Sequence, residues 1–300
     1  MKRYFIKNTL EDTKKGYRAK VKNMLNELDQ KQQIVMFAWL CAVRALPFLG
    51  VEGDFRFWIT EDKIDNRQKH LLSIFHALDI AAYAATAVVV DINDASAASA
   101  AASKAADDAF AYAKYATYGI DDDAHPSASF FNSTSIFLEN YTSVRAAAFA
   151  AANAASAAAS KVAKSSITAI KSATDGGSGA AAAAATAAAV IRKRSNFQKI
   201  TLSDYDLIKL GKTCGFSTDM TVYAIYREAI WQSFHQSLNS IHCQYWSRLY
   251  KDLFRKGFVM HEEDIARLKR RLNVPELIFE QGAAAVACYL EGVEESDGER

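Results

Sequence analysis

The stretch DASAASAAASKAADDAFAYAKYATYG at residues 94–119 contains 12 alanines among its 26 residues, and a similar stretch, AANAASAAASKVAKSSITAIKSATDGG, follows at residues 151–177. Alanine has the highest helix propensity because it loses no side-chain entropy when a helix forms. Facing alanines also let two helix axes approach to the lower end of the usual range, about 8 Å. The two stretches therefore predict an all-α fold built on a bundle of closely packed, antiparallel, alanine-rich helices.

The two stretches resemble each other beyond their alanine content. Aligned without gaps at an offset of 57 residues, residues 95–119 and 152–176 agree at 14 of 25 positions. Composition alone explains the shared alanines, but not the shared serines, lysines, threonine and glycine. Two interpretations stay open: duplication of a helical unit, which at this spacing would be a helical hairpin repeated once, and convergent low complexity.

Composition limits the class of protein. The chain has 300 residues, of which 50% are hydrophobic and 23% are charged, and this is typical of a soluble globular protein. Its net charge of +2 does not favour nucleic acid as a partner. No apolar segment follows the N-terminal charges, and the longest alanine run is too short to span a bilayer. We therefore expect a cytoplasmic protein with no membrane partner.

The composition changes twice along the chain. Residues 1–29 form a basic N-terminal segment, residues 30–196 the alanine-rich helical bundle, and residues 197–300 an aromatic-rich, helical C-terminal subdomain. In this last part alanine becomes scarce while Trp, Tyr and Phe return. One helix there has its apolar residues at helical spacing, which predicts a buried face made of Trp246, Leu249, Tyr250 and Leu253.

Local signals predict where helices begin and end. Proline lacks a backbone N–H, so Pro47 is expected to end the first helix of the bundle. Thr60 and Ser203 are expected to cap the N-termini of later helices. The stretch DGGSG at residues 175–179 lacks the Lys-Ser/Thr of a phosphate-binding loop, which predicts a plain break between helices. Because cations favour helix C-termini, the basic triplet at residues 192–194 is expected to end the last alanine-rich helix.

No pattern in the sequence predicts an enzyme, a cofactor site or a metal site. The motifs of phosphate-binding loops, dinucleotide-binding folds, serine hydrolases and zinc proteases are absent. His235 and His242 are seven residues apart, hence on one helical face, but two turns apart they do not meet on one metal as an i, i+4 pair does. The cysteines show no CxxC spacing and are expected to be buried, reduced thiols: Cys41, Cys214, Cys243 and Cys288.

Parts of the chain resemble a known group of proteins. MFAWLCAVRALPFL at residues 36–49 contains the pattern Cys-x-x-Arg-x-Leu-Pro, and the alanine-rich AAYAATAVVV and RAAAFAAANAASAAASKVA follow at residues 81–90 and 145–163. Over about residues 30–195 this arrangement is similar to alanine-rich helical immunity proteins of bacterial polymorphic-toxin systems. The alanine-rich section is longer here, and the C-terminal hundred residues have no counterpart in that group.

The resemblance implies a partner and a mode of action. The partner would be a cognate protein toxin, neutralised by direct binding that occludes its active site. We expect a nuclease or another enzyme acting on nucleotides, because carboxylates can then occupy positions that phosphates would take. The acidic residues between positions 91 and 123 are the candidate partner-binding residues: Asp121, Asp122 and Asp123 in a loop, Asp107 and Asp108 on the preceding helix, and Asp91 and Asp94 near its start.

Other interpretations remain. The basic segments 192–199 and 248–271 could serve a helical nucleic-acid-associated protein, whose binding would depend strongly on salt. An enzyme that reverses a toxin's covalent modification would protect in catalytic rather than stoichiometric amounts. A run of acidic residues is also common on a solvated helix face with no partner.

Overall fold

The computed structural model describes residues 16–50, 54–59, 65–86, 92–118, 128–159, 167–188, 194–209, 229–255 and 261–298. These residues are 88% helical and contain no β-strand, which confirms the predicted all-α fold. The α-helices are α1 (16–25), α2 (Lys31–Ala45), α3 (Arg67–Ala85), α4 (Ile92–Tyr118), α5 (Ala128–Ala159), α6 (Ile167–Ala187), α7 (Arg194–Lys209), α8 (Ala229–Ser240), α9 (Gln244–Arg255), α10 (Glu262–Leu272), α11 (Glu276–Glu280) and α12 (Ala283–Gly298). Two short 3₁₀ segments, Leu46–Gly50 and Arg56–Trp58, follow α2.

The alanine-rich helices form the centre of the molecule. α5 packs against α2, α3, α4 and α6, and most of its described alanines are buried. From Ile34 onward every residue of α2 except the half-buried Met36 is buried, as expected for a helix that is apolar around its circumference. Among the described residues, the stretch Lys31–Gly50 is long and apolar enough to cross a membrane, but 89% of its most apolar window is buried inside the protein. A core helix of a soluble protein has these same properties.

The glycine-rich stretch at residues 175–179 is not a break, and that prediction was wrong. It lies inside α6, where Gly176 and Gly179 face α5 and Gly177 faces α1 and α2. A Cβ atom at Gly176 would lie 2.7 Å from the Ala157 backbone nitrogen, and one at Gly179 would lie 2.6 Å from Asn153 Oδ1. Both distances are too short for a side chain. Glycine here lets two helices approach closely, and tertiary packing outweighs its low helix propensity.

Two of the predicted caps were also wrong. α3 begins at Arg67 with Asn66 in the N-cap position, and Thr60 lies outside the described residues. Ser203 lies inside α7, which begins at Arg194. Four buried residues of α7 recur at positions i, i+3, i+4 and i+7, so packing continues the helix through Ser203: Thr201, Asp204, Tyr205 and Ile208.

Of the two predicted helix ends, the one at Pro47 is confirmed and the one at the basic triplet is not. α2 ends at Ala45 and the 3₁₀ segment follows, which confirms that Pro47 stops the helix. The last alanine-rich helix, α6, ends at Ala187, before the triplet. Arg194 is the first residue of α7, so the expectation that the triplet ends the alanine-rich helix was wrong for this residue, and residues 192–193 lie outside the described residues. A basic residue stabilises a helix C-terminus but does not determine where the helix ends.

The two similar alanine-rich stretches occupy different positions in the fold. Residues 95–118 lie within the single helix α4. Residues 152–176 include the end of α5 and the beginning of α6. In the described residues, the two similar stretches therefore do not form the same structural unit.

The C-terminal helices contact the bundle through several elements. α7 packs against α2 and α6, and α8 packs against the segment Leu46–Gly50, where Ser233 Oγ donates to the carbonyl oxygen of Gly50 at 3.0 Å. α10 packs against α3, and there Arg271 donates two hydrogen bonds to Asp79 at 2.8 and 2.9 Å. The apolar face predicted for α9 is buried except for Leu249, which is half-buried: Trp246, Tyr250 and Leu253.

Candidate functional site

The described candidate residues lie on α4, the helix made largely of alanine. Asp94 lies near its start, and Asp107 and Asp108 lie in its second half. Fourteen residues of α-helix correspond to nearly four turns and a rise of about 21 Å. Asp94 and Asp108 are therefore on the same side of α4 but about 21 Å apart, and Asp107 points about 100° away from Asp108.

Asp107 is oriented toward α5. Arg145 on α5 donates from Nη2 to Asp107 Oδ1 at 3.0 Å, and its guanidinium carbon lies 5.1 Å from the centre of the Phe149 ring. The Asp107 side chain remains 61% exposed. Its carboxylate is thus positioned by a neighbouring helix and still accessible to a partner.

Asp108 is oriented toward α3. Lys104 Nζ donates to Asp108 Oδ2 at 3.0 Å, and His70 Nε2 lies 3.3 Å from the same oxygen. The side chain of Asp108 is 40% exposed, whereas His70 is buried against the Trp58 ring. Trp58 is itself fixed by a 2.9 Å hydrogen bond from its indole nitrogen to the carbonyl oxygen of Ala105 on α4.

Burial determines the protonation of His70. Loss of solvent lowers its pKa to about 4, although the negative charge of Asp108 acts in the opposite direction. At neutral pH the imidazole is therefore uncharged. The 3.3 Å contact between His70 Nε2 and Asp108 Oδ2 is therefore not an ion pair between two full charges. This leaves the negative charge of Asp108 for Lys104 and for a partner.

The structure brings together part of the predicted site. Asp107 and Asp108 are adjacent. Arg145 of α5 holds the first carboxylate, and Lys104 of α4 holds the second, beside His70 of α3. Asp94 is exposed at the other end of the same helix. Asp91, Asp121, Asp122 and Asp123 lie outside the described residues. Asp107 and Asp108 could be predicted from the sequence, but His70 and Arg145 could not, since nothing in their local sequence identifies them as partners of α4.

The described residues contain no assembled metal site. No three His, Cys, Asp or Glu side chains among them are close enough to hold an ion. The expectation that His235 and His242 share a helical face was wrong, because α8 ends at Ser240 and His242 lies in the following turn with a φ of 63°. His235 Nδ1 is 2.9 Å from Ser247 Oγ, and burial lowers the pKa of this histidine. His235 is thus a half-buried histidine that packs beside the Trp231 ring.

The cysteines differ in exposure. Cys41 and Cys243 are buried free thiols, and burial raises the pKa of each to about 12, so they are unreactive. Cys288 is a free thiol but exposed, so for this residue the prediction of burial was wrong. It faces outward because α12 packs through other positions, including Val286 and Leu290. Cys214 lies outside the described residues.

Some basic side chains of segments 192–199 and 248–271 are paired with carboxylates of the protein and do not carry an unpaired surface charge. Arg271 is buried and paired with Asp79, and Arg248 pairs with Glu291. Lys269 and Arg267 are exposed on α10. Of segment 192–199, Lys199 is exposed, and the side chains of the arginines lie outside the described residues. Some of these cations therefore hold the fold together.

The described surface thus offers exposed, oriented carboxylates on a tightly packed helix. Such a surface can attract and orient a positively charged partner. What the chain does must be inferred from its own residues, since no protein-family model, curated protein or solved structure matches it.

Proposed function

We propose that this chain is a cytoplasmic immunity protein that neutralises a cognate toxin by stoichiometric binding and occlusion of its active site. The observation that carries the proposal is the pair Asp107 and Asp108. Both carboxylates are held by groups on the protein itself, yet 61% and 40% of their side chains remain exposed. The sequence resemblance to alanine-rich immunity proteins agrees with this function.

Rigidity supports a role in binding. α4 packs along α5 through small side chains that have no alternative rotamers. The buried face of α4 consists of alanines: Ala95, Ala98, Ala102, Ala105 and Ala106. Ordering side chains and loops is a main cost of association, and a preformed surface avoids it. Hydrogen bonds from Arg145 and Lys104 orient the two carboxylates before the partner arrives, and His70 lies beside Asp108.

The charge of this surface indicates the kind of toxin. An enzyme that acts on nucleic acids or nucleotides has an active site lined with Lys and Arg, which bind phosphates. Carboxylates placed in such a site replace those phosphates and accelerate the encounter by electrostatic steering. The partner expected for this chain is therefore a nuclease or nucleotide-acting toxin.

The test uses the product of the adjacent gene as the toxin. We expect a complex with a fixed molar ratio, and loss of toxin activity only when the immunity protein is at least equimolar. Replacing Asp107 and Asp108 together with Asn should slow association by about tenfold at low salt, because steering acts mainly on the association rate. The matched control replaces two exposed carboxylates on other parts of the chain, Asp29 and Asp206, with Asn.

The possible results separate the interpretations. Protection at far below equimolar amounts would indicate an enzyme that reverses the toxin's effect. An association rate that falls equally in the control variant would mean that net charge matters and that α4 does not form the contact. Salt-sensitive binding to random nucleic acid, with none to the toxin, would replace the proposal with the nucleic-acid-associated interpretation.

A further inference from the structure

A second surface, separate from the acidic residues of α4, has the shape of a ligand site. A groove of about 460 Å³ runs between α5 and α6 beside α1. Its floor is formed by small residues of α6, among them Gly179, Ala182 and Ala183. Sites for small molecules usually occupy about 300–1,000 Å³. The groove is therefore large enough for a compact organic ligand.

The described lining of the groove contains two cationic side chains. Arg18 of α1 and Arg145 of α5 line it, and none of the described residues that line it is acidic. Arg145 is oriented by its contact with the Phe149 ring and by Asp107, which lies outside the groove lining. Guanidinium groups bind carboxylates and phosphates through paired N–H donors.

Arg18 is exposed but carried on an anchored helix. The neighbouring Tyr17 is buried, and its hydroxyl lies 2.5 Å from Thr201 Oγ1 on α7. One turn further along α1, Lys22 Nζ donates to Asp175 Oδ1 on α6 at 2.5 Å. The backbone of α1 is thus fixed against α6 and α7 while Arg18 extends to the groove.

The groove also has an apolar part. Phe149 is half-buried in its wall, and the methyl groups of Ala182 and Ala183 lie beneath. We infer that the groove binds a small aromatic anion, that is, a flat ring carrying a phosphate or a carboxylate group. The anionic group contacts Arg18 and Arg145, and the ring packs against Phe149 and Ala183.

The test measures binding of phenyl phosphate and of benzoate to the whole chain by ligand-observed NMR and calorimetry. The two probes distinguish a phosphate-bearing from a carboxylate-bearing ligand, and binding of either supports the inference. Arg18→Gln should weaken binding by about tenfold, the effect of losing one charge-assisted hydrogen bond. Lys20→Gln is the matched control, because Lys20 is exposed on the same helix and does not line the groove.

A second variant tests the shape of the site independently of its charge. Ala183→Phe fills the groove with a ring and should abolish binding of both probes, while a melting temperature within a few degrees of the wild type shows that the bundle is intact. Phenol and inorganic phosphate test the two halves of the ligand. Binding of either as tightly as phenyl phosphate would overturn the inferred class of ligand.

The site itself is overturned if neither probe binds, or if Arg18→Gln and Ala183→Phe bind as the wild type does. None of these measurements uses the toxin. Arg18 and Ala183 are not part of the acidic surface, so failure here leaves the proposed function unaffected, and failure of the toxin experiment leaves this site unaffected.

Discussion

Individual buried charges in this protein act as structural links between distant parts of the chain. Arg44, near the end of α2, donates from Nη2 to Asp204 Oδ1 on α7 at 2.8 Å, and both residues are buried. An arginine close to a helix end could be expected to reach an acid or the last carbonyls, and here it reaches an acid 160 residues away. The sequence around Asp204 contains no signal for this pairing, because it depends on how α7 lies against α2.

Replacing Arg44 with Ala should lower the free energy of unfolding by about 3–5 kcal/mol, since it leaves the Asp204 carboxylate buried without its partner. Urea denaturation measures this change. The double variant Arg44→Met, Asp204→Leu should recover much of the loss, because no buried charge remains. Toxin affinity should change less than stability. The opposite result would mean that the contact between α2 and α7 shapes the binding surface more than it stabilises the fold.

At the scale of helices, packing between small residues determines where the elements begin and end. α6 continues through three glycines that pack closely on neighbouring helices, Gly176 and Gly179 on α5 and Gly177 on α1 and α2. Residue propensities alone favour a break there. Gly176 and Gly179 bring α6 close enough to α5 for alanine methyl groups of the two helices to make dispersion contacts.

Two glycines test this explanation. Gly176→Ala should destabilise the protein by about 1–3 kcal/mol through overpacking against Ala157, despite alanine's better helix propensity. Gly292→Ala in α12 is the matched control, because nothing lies within 4 Å of the added methyl group, and it should stabilise by about 0.5–1 kcal/mol. Thermal melts of both variants measure the difference. Equal effects would show that α5 and α6 are not closely packed at Gly176.

The sequence allows some features of these elements to be predicted and not others. Helical content and the apolar faces, such as that of α9, follow from the spacing of large residues and are confirmed. The start of α3, the continuity of α6 and the course of α7 through Ser203 depend on contacts with other helices, so local signals gave the wrong boundaries. The same applies to the candidate site, where Asp107 and Asp108 lie on a predicted helix but His70 and Arg145 come from elsewhere.

At the scale of the whole molecule, one buried histidine and two half-buried ones make stability depend on pH. Burial lowers the pKa values of His70, His76 and His235, and that of His70 falls to about 4. The unfolded chain, in which a histidine has a pKa of about 6.5, then binds protons at a higher pH than the folded protein does. The stability contributed by uncharged, buried histidines is complete above about pH 6.5 and is lost as the pH falls toward the folded-state values.

We therefore expect the free energy of unfolding to decrease between pH 7 and pH 5, with each titrating histidine adding at most about 1.4 kcal/mol per pH unit to the slope. His70→Gln should reduce this slope, because the variant lacks the group whose pKa is most strongly lowered. His242→Asn is the matched control, since His242 is exposed in a turn at a φ of 63°, a conformation that Asn tolerates. Urea denaturation at pH 5, 6 and 7 measures all three proteins. A slope that is the same in His70→Gln and in the wild type would mean that His70 is not buried in uncharged form beside Asp108.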